Sequence, residues 1–247
     1  MYVKKQGTSD FLVVYLYVDD MIYKGSCETL VAEFKSCMMK EFEMSDLGTL
    51  QYFLGLQVKQ EKDGIFVSQR KYVKNLLLRF GMQNCKVAAI PMSANKKLQL
   101  EDGTDPADPS YYRSLIGGLN YLTHTRPDII FSVSVLSRYA SSPSKQHLGA
   151  AKRVLRYVVG TVDFGIWYSK DIDLSLIGYS DNDWAGSIDY RKSTYGNVCS
   201  LGSRVISWCS QKQDAVALSS SEAYYVAVTS AVCQAIWLRR LLVDVRH

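Results

Sequence analysis

The segment Phe11 to Met21, FLVVYLYVDDM, constrains the fold of this chain more than any other stretch. Its apolar residues are mostly β-branched or aromatic, which favours a strand, and the pattern resumes at Ile22-Tyr23 after two adjacent carboxylates, Asp19 and Asp20. This pattern predicts a hairpin that bends at the two acids. Neighbouring side chains of a flat strand point to opposite faces, so these acids can serve one site only at a tight bend.

Paired carboxylates at a bend are hard oxygen ligands of the kind that Mg²⁺ takes together with water and substrate phosphates. Such a pair is typical of phosphoryl transfer assisted by two metal ions. An Asp-Asp pair is also a common turn dipeptide without any chemical role. The apolar strand before Asp19 and Asp20 favours metal binding. The expected cofactor is Mg²⁺, with Mn²⁺ as its alternative, in a site that further ligands must complete.

The chain has 247 residues, and 47% of them are hydrophobic, which is enough for a core and for one or two domains. None of its six cysteines is spaced like a zinc or redox motif, which indicates reduced thiols in an intracellular protein. We also expect no membrane association, because we find no apolar run that approaches the length of about 18 residues needed to span a bilayer. The expectation is a soluble, intracellular protein.

The net charge is only +5, but the charges are unevenly distributed. The sequence has no acidic residue between Asp63 and Glu101 and none between Asp128 and Asp163. Basic residues in these two segments predict helix faces that contact nucleic-acid phosphates, and the alternative is an ordinary solvated face. The predicted nucleic-acid-binding residues are Arg70, Lys71, Lys74, Lys145, Lys152 and Arg156.

Apolar periodicity and turn residues predict alternating strands and helices along the rest of the chain. A proline-containing polar stretch, 90–108, is the best candidate for a linker between two packed regions. The predicted strands are 50–58, 65–68, 174–181, 197–201 and 204–209, and the predicted helices are 28–42, 70–80, 110–123, 127–139, 145–159 and one that begins at Ser219.

The motif YVDD with its apolar flanks resembles the polymerase active-site box of reverse transcriptases. The order YVDD, helix, SDLG, YFLGLQV and DGIFVSQRKYVKNLL is similar to the late palm and thumb of copia-type retrotransposon reverse transcriptases. The stretch YRSLIGGLNYLTHTRPDIIFSVSVLSRYASSPSKQHLGAAKRVLRYVVGT resembles the connection region of the same Pol polyproteins. The motifs GYSDNDWAG and ALSSSEAYY resemble the ribonuclease H domain of this family.

This resemblance implies an α+β fold made of several parts of a Pol polyprotein. Residues 1–68 would be the late palm, 69–90 a thumb-like helix and 91–109 a linker. Residues 110–170 would be the helical connection region, and 171–247 the N-terminal half of a truncated ribonuclease H-like α/β domain. The implied partners are an RNA/DNA hybrid or a duplex and the remaining Pol segments.

The resemblance also implies a second metal site, in which Asp181 and Glu222 would be ribonuclease H ligands. Asp181 is favoured over Asp183 because it ends the predicted strand. Each acid has a structural alternative. Glu222 lies three residues after Ser219 and could close a capping box, and the two aspartates could form a turn.

The family has further ribonuclease H carboxylates downstream of the helix and an earlier palm strand with its own Asp. Neither is found between Met1 and His247, and Tyr224 stands where the family usually has an acid. We therefore expect an internal part of a Pol polyprotein that is not active by itself. One alternative is an inactive relic that binds duplex or hybrid through its basic helices, and another is the product of a decayed element with residues 171–247 incompletely folded.

Overall fold

The structure is a computed structural model that describes residues 1–7, 10–93, 97–170, 174–202 and 204–246. Sheets and helices both contribute, which confirms the mixed α and β class. The chain divides into two compact units. One contains residues 1–51 and the end of the last helix from Ile236, and the other contains residues 52–235.

The first unit is built on a three-stranded antiparallel sheet with the order β1-β2-β3. Tyr17 of β2 pairs with Asp20 of β3, so the predicted hairpin is confirmed. The strand β1 was not predicted, because its polar sequence shows no alternation of apolar residues. Its hydrogen-bonded pairing with β2 stabilises it instead. The elements are β1 (Tyr2–Gln6), β2 (Asp10–Tyr17), β3 (Asp20–Gly25) and the helix α1 (Glu28–Glu41).

The second unit begins with an antiparallel sheet of β4 (Tyr52–Phe53), β5 (Leu56–Glu61), β6 (Gly64–Ser68) and β7 (Gly165–Ser169). The single strand predicted over 50–58 is wrong. The chain turns back between β4 and β5, at two residues that both have positive φ angles.

Two features explain the turn between β4 and β5. Leu54 has φ +47° and Gly55 has φ +77°, a combination that is typical of tight hairpin turns. The hydroxyl of Tyr121 donates to the carbonyl of Leu54 and lies where a Cβ on Gly55 would be. A glycine is therefore required at this position by both the backbone angle and the close approach of Tyr121.

Four helices form the core of the second unit: α2 (Arg70–Arg79), α3 (Pro109–Leu122), α4 (Ile130–Ser137), which follows a short 3-10 turn, and α5 (Lys145–Val159). The predictions of these helices are confirmed to within a few residues at each end. Removal of their apolar side chains from water is the main stabilising contribution. The fully buried aliphatic and aromatic residues include Tyr112, Leu115, Leu119, Leu122, Ile129, Val133, Leu136, Val154, Leu155 and Val158.

The described part of the predicted linker packs against these helices. The side chain of Leu98 joins their core, and its carbonyl accepts a hydrogen bond of 2.9 Å from the Tyr139 hydroxyl. Asp108 caps α3 by accepting from the backbone N–H of Ser110 at 2.8 Å. The segment therefore covers the helices along 97–108, while positions 94–96 lie outside the described residues.

A third antiparallel sheet, with the order β10-β9-β8, belongs to the same unit. The Trp208 indole donates to the carbonyl of Thr123 at 2.9 Å, and Arg138 donates to the Thr194 hydroxyl at 2.8 Å, so this sheet is tied directly to the helices. The elements are β8 (Leu176–Asp183), β9 (Thr194–Leu201), β10 (Arg204–Lys212) and the helix α6 (Ser220–Arg246). Positions 171–173, 203 and 247 lie outside the described residues.

The helix α6 corrects the expectation that no apolar segment reaches the length of a membrane span. Residues Ser220–Val245 are long and apolar enough to cross a bilayer by length and composition alone. A helix that packs in a soluble protein passes the same test. The first part of α6 is bound to the sheet, because Gln234 donates to Ser207 at 2.9 Å and Gln213 donates to the carbonyl of Ala223 at 2.8 Å.

A buried guanidinium group holds the junction between α3 and α4. Arg126 is 1% exposed and donates two hydrogen bonds to Asp128, at 2.9 and 2.7 Å. It also donates to the carbonyl and the hydroxyl of Thr161, at 2.9 and 2.6 Å, and packs over the rings of Tyr157 and Phe164. Because four donor contacts and two aromatic rings replace its water, the buried charge is compatible with a stable core.

Replacing Arg126 with Met should lower the free energy of unfolding by roughly 3 kcal/mol, because the buried hydrogen bonds of the guanidinium to Asp128 and Thr161 are all lost. Urea denaturation monitored by circular dichroism measures this change. Arg113→Met is the matched control, since Arg113 is exposed and its guanidinium donates a long bond of 3.4 Å to the Ala140 carbonyl. Equal losses in the two variants would contradict a special role for Arg126.

Candidate functional site

The tip of the β2–β3 hairpin is a two-residue turn formed by Val18 and Asp19, closed by the pairing of Tyr17 with Asp20. Val18 has φ +51°, an unusual value for a β-branched residue. Positive φ at the first position of a two-residue turn matches the twist of the strands that it joins. The short turn therefore imposes this angle and brings two adjacent carboxylates to the tip.

The side chains of Asp19 and Asp20 are both exposed at this tip. Their oxygens fit Mg²⁺, which commonly binds one or two protein carboxylates and completes its shell with phosphates and water. Within the described ranges, however, no group of three or more His, Cys, Asp or Glu side chains is arranged to hold a metal ion. The predicted bend is confirmed, and the role of the two acids as metal ligands stays a prediction.

Another acid of the first unit, Asp46, organises the chain after α1. It forms an ion pair with Lys35 of that helix and accepts a hydrogen bond of 3.0 Å from the backbone of Gly48. The hydroxyl of Tyr23, on β3, donates to the same carboxylate at 3.3 Å. Lys35 and the Gly48 N–H lower the pKa of Asp46. The sequence predicted only a turn here, although the SDLG motif was a visible signal.

The second group of acids lies at one end of the β8–β10 sheet. Asp183 of β8 and Lys212 of β10 both pair with Thr194 of β9. Asp181 lies two residues before Asp183 on the same strand. Gln213 follows Lys212 and donates to the carbonyl of Ala223 in the first turn of α6. The two aspartates and the start of α6 therefore share this end of the sheet, as the predicted site requires.

Glu222 has a structural role at this end of the sheet. Its Oε2 accepts a hydrogen bond of 2.7 Å from the backbone of Leu218, while the Ser219 hydroxyl accepts from the Glu222 N–H at 3.1 Å. The Ser219 bond satisfies one donor that the N-terminus of α6 leaves open, while the Glu222 bond holds the residue before the cap. Only the Ser219 half of the expected capping box is present, because Glu222 binds Leu218 instead of the Ser219 N–H. A role for Glu222 in metal binding stays a prediction.

The two aspartates have different surroundings. The Asp183 carboxylate lies against Gly186, where any side chain would overlap it, and its charge acts on Arg138. Burial lowers the pKa of Arg138, and Asp183 partly offsets that effect. Asp181 is exposed and accepts a bond of 2.8 Å from the next backbone N–H. Both aspartates are exposed, so the preference for Asp181 over Asp183 stays a prediction.

Arg138 was missed as a residue of this region, because the sequence showed it only as one cation in an acid-free segment. It ends α4 and donates through Nη2 to the Thr194 hydroxyl. Its Nε is buried and has no hydrogen-bond partner in the part of the chain that the structure describes. No sequence signal placed this residue beside the carboxylates, since the contact joins positions more than fifty residues apart.

Two of the six predicted phosphate-binding residues are already paired with acids. Arg70 lies 2.8 Å from Asp163, and Lys145 lies 2.6 Å from Asp105. Both pairs are solvent-exposed, so each contributes little to stability. The pairs nevertheless reduce the positive charge that these residues present to a nucleic acid.

The other four basic residues differ in accessibility. Arg156 donates to the carbonyl of Lys86 at 2.6 Å and therefore holds the segment after α2 against α5. Lys71 and Lys74 are exposed on α2, and Lys152 is half-buried. Over the described residues, no carboxylate lies within ion-pair distance of these three lysines. Lys71 and Lys74 are thus the best-placed candidates for phosphate contacts.

Replacing Glu222 with Ala should lower the free energy of unfolding by about 1 kcal/mol, because the segment before α6 loses the bond between the Leu218 N–H and the Glu222 carboxylate. Urea denaturation and amide exchange of Leu218 measure this loss. Glu222→Gln is the matched control, since the amide keeps an oxygen that accepts the Leu218 bond. A loss in Glu222→Gln as large as that in Glu222→Ala would contradict the role of this bond.

Comparison with known proteins supports the resemblance drawn from the motifs. Residues 1–94 match the family described as Reverse transcriptase (RNA-dependent DNA polymerase). The chain is 40% identical over 99% of its length to a retrovirus-related Pol polyprotein from transposon RE2 of Arabidopsis thaliana, and it spans 17% of the length of that polyprotein. No solved structure is significantly similar to the chain.

Two shorter relatives are covered along most of their own length. An uncharacterized mitochondrial protein of Arabidopsis thaliana is 38% identical over 92% of this chain and 94% of the relative. A transposon Ty5-1 protein of Saccharomyces cerevisiae is 30% identical over 93% of this chain and 76% of the relative. With this similarity spread along its whole length, the chain belongs to the family of copia-type retrotransposon Pol polyproteins and carries reverse transcriptase sequence.

Proposed function

We propose that this chain contributes to RNA-directed DNA synthesis, with Asp19 and Asp20 as ligands of a divalent metal ion, Mg²⁺ or Mn²⁺. One observation carries the proposal: the reverse transcriptase match over residues 1–94 includes an Asp-Asp pair at the exposed tip of a tight hairpin. The remaining Pol segments and an RNA/DNA hybrid or duplex are the proposed partners.

The hairpin fixes the position of the two carboxylates. Its two-residue turn holds two carboxylates next to each other, outside the core, where a phosphate-bound cation can reach both. When bound, the metal would polarise the phosphate that the primer hydroxyl attacks. Because the turn is tight and joined to two paired strands, little reorganisation of the acids is needed for binding.

We further propose that the chain does not extend a primer by itself. Two-metal catalysis needs ligands from several parts of the site, and among the described residues Asp19 and Asp20 have no third acid or imidazole with which to form a metal group. The expectation is no template-dependent incorporation by the purified 247 residues. Incorporation that Asp19→Asn abolishes would overturn this part of the proposal.

Metal binding at the hairpin is directly testable. The double variant Asp19→Asn/Asp20→Asn should bind Mn²⁺ at least tenfold more weakly than the unaltered chain in the presence of a primer–template, because Mn²⁺ loses both charged oxygens. Electron paramagnetic resonance of free Mn²⁺ measures this affinity. Asp63→Asn removes an exposed acid from another hairpin turn and serves as the control. Unchanged affinity in the double variant would contradict the proposed site.

For the β8–β10 sheet and α6 we propose the N-terminal half of a ribonuclease H-like domain that acts on the RNA strand of a hybrid. The strand order supports this proposal, and so does the position of Asp181 near the end of the sheet that contacts the start of α6. Asp181 would bind the metal directly. Glu222 would take part through Oε1 or after release of its bond to Leu218.

Lys71 and Lys74 are proposed to contact the phosphates of the nucleic acid. Replacing both with Gln should weaken binding to an RNA/DNA hybrid and reduce the slope of log affinity against log salt by about 1.8, since each phosphate contact contributes roughly 0.9. Fluorescence anisotropy with a labelled hybrid, between about 50 and 200 mM salt, measures both quantities.

The matched control for these lysines is Arg70→Gln/Lys145→Gln, which removes two cations that are already paired with Asp163 and Asp105. Its effect on the salt slope should be clearly smaller. Equal effects of the two double variants would contradict the assignment to α2. Binding that persists in Asp19→Asn/Asp20→Asn without metal would favour the inactive, nucleic-acid-binding alternative.

A further inference from the structure

A buried group of ionisable and hydroxyl side chains lies where the segment before α3 meets the start of α5. His147 has a side chain that is 0% exposed, and the Asp102 side chain is 2% exposed. Ser144 lies between them and is also buried. None of these residues belongs to the proposed metal or nucleic-acid sites, so their arrangement needs a separate explanation.

The hydrogen bonds of His147 define its protonation state. Its Nδ1 accepts from the backbone N–H of Ser144 at 3.0 Å, and Nε2 lies 3.1 Å from the carbonyl of Gln99. A nitrogen that accepts and a nitrogen that donates together require a neutral imidazole with its proton on Nε2. The neutral ring thus links the N-cap of α5 to the segment around Gln99.

Asp102 is bound by donors from both sides. It accepts from the hydroxyl of Thr104 at 2.6 Å and from the Thr104 N–H at 2.9 Å, and the Ser144 hydroxyl donates to its other oxygen. Its carboxylate lies 3.9 Å from Nε2 of His147. Burial opposes ionisation, but these hydrogen bonds prevail and lower the pKa of Asp102 to about 2.

Three consecutive residues of the segment are held by three different elements. Tyr139 at the end of α4 donates to the carbonyl of Leu98, and His147 of α5 binds the carbonyl of Gln99. The N–H of Leu100 donates to both oxygens of Asp189, at 3.0 and 3.1 Å. Because Asp189 lies in the loop between β8 and β9, the segment joins the helices to the sheet that carries Asp181 and Asp183.

We propose that His147, Ser144 and Asp102 form an acid-sensitive clamp, in which protonation of His147 at Nδ1 breaks the Ser144 bond and releases residues 98–104 together with the 184–193 loop. No covalent bond changes in this step. A proton from solvent occupies the lone pair that accepts the Ser144 N–H, and that N–H is left without its partner.

The charges around His147 set the pH at which the clamp opens. Desolvation disfavours the imidazolium and lowers the pKa of His147, while Asp102 and Asp189 partly offset this effect. The ring of Tyr139 stacks on the imidazole of His147, with 3.9 Å between the ring centroids. Burial, together with the charge of Asp189, raises the pKa of Tyr139 to about 12, so its hydroxyl stays neutral. These are the ionisable groups that face the ring from the neighbouring elements.

The sign of the effect follows from the direction of the His147 shift. Its pKa is lower in the folded chain than the ordinary value of about 6.5, so its stabilising contribution is complete above that pH and is lost as the pH falls below it. Asp102 remains ionised until the pH approaches its pKa of about 2. The clamp should therefore open below about pH 6.5, before Asp102 is protonated.

Hydrogen exchange by mass spectrometry and NMR tests the clamp in the full chain. After correction for the pH dependence of intrinsic exchange, the opening of the Leu100 and Thr104 amides should increase by up to about tenfold for each unit by which the pH falls below about 6.5. The amide of Leu119 in α3 should remain protected between about pH 7 and 5. Unchanged protection of Leu100 and Thr104, or equal loss at Leu119, would overturn the proposal.

Two variants distinguish the effect of protonating His147 from a general loss of stability in acid. His147→Gln places Gln three residues after the Ser144 cap, where its oxygen accepts the same N–H without titrating, so the acid response of Leu100 should disappear. His124→Gln removes an exposed histidine and should leave that response unchanged. If His147→Gln does not fold, the imidazole titration of His147 in the unaltered chain decides, because it must coincide with the opening of Leu100.

Discussion

The second unit depends on keeping one full positive charge inside its core. Arg126 lies between α3 and α4 and is compensated by Asp128, by both oxygens of Thr161 and by the faces of Tyr157 and Phe164. Asp128 lies in the short turn between α3 and α4, whereas Tyr157, Thr161 and Phe164 come from the end of α5 and the chain that follows it. Satisfying one guanidinium therefore fixes the relative positions of three helices, and the sheets pack against that frame.

The candidate metal site depends on a different constraint. Two adjacent acids become one ligand pair only where the backbone reverses, and the β2–β3 turn achieves this with a valine at positive φ. At the end of the β8–β10 sheet, one carboxylate oxygen of Glu222 is already bonded to the Leu218 N–H before α6, so a metal ion would compete with that bond. The hairpin acids are exposed and make no such side-chain bond within the described residues, which makes them the stronger candidates.

Much of the fold could be predicted because local patterns dominate it. Helical periodicity located α1 to α6, and the apolar run around Val13 located the hairpin. The errors occurred where distant residues decide the structure. The strand β7 is short and gains its pairing from β6, the turn at Leu54-Gly55 depends on Tyr121, and the proline-containing segment contributes Leu98 to the core. The ion pairs of Arg70 and Lys145 were also invisible, because each joins residues far apart in sequence.

The pairing of β6 with β7 has a consequence for biosynthesis. Partners such as Gly64 and Ser169 are separated by about a hundred residues, so β6 emerges from the ribosome long before its neighbour exists. At roughly 5 to 20 residues per second, the delay is on the order of 5 to 20 seconds. During that interval the edge of β6 is open to pairing with other nascent chains, which makes this strand a point at which cellular chaperones would protect the growing polypeptide.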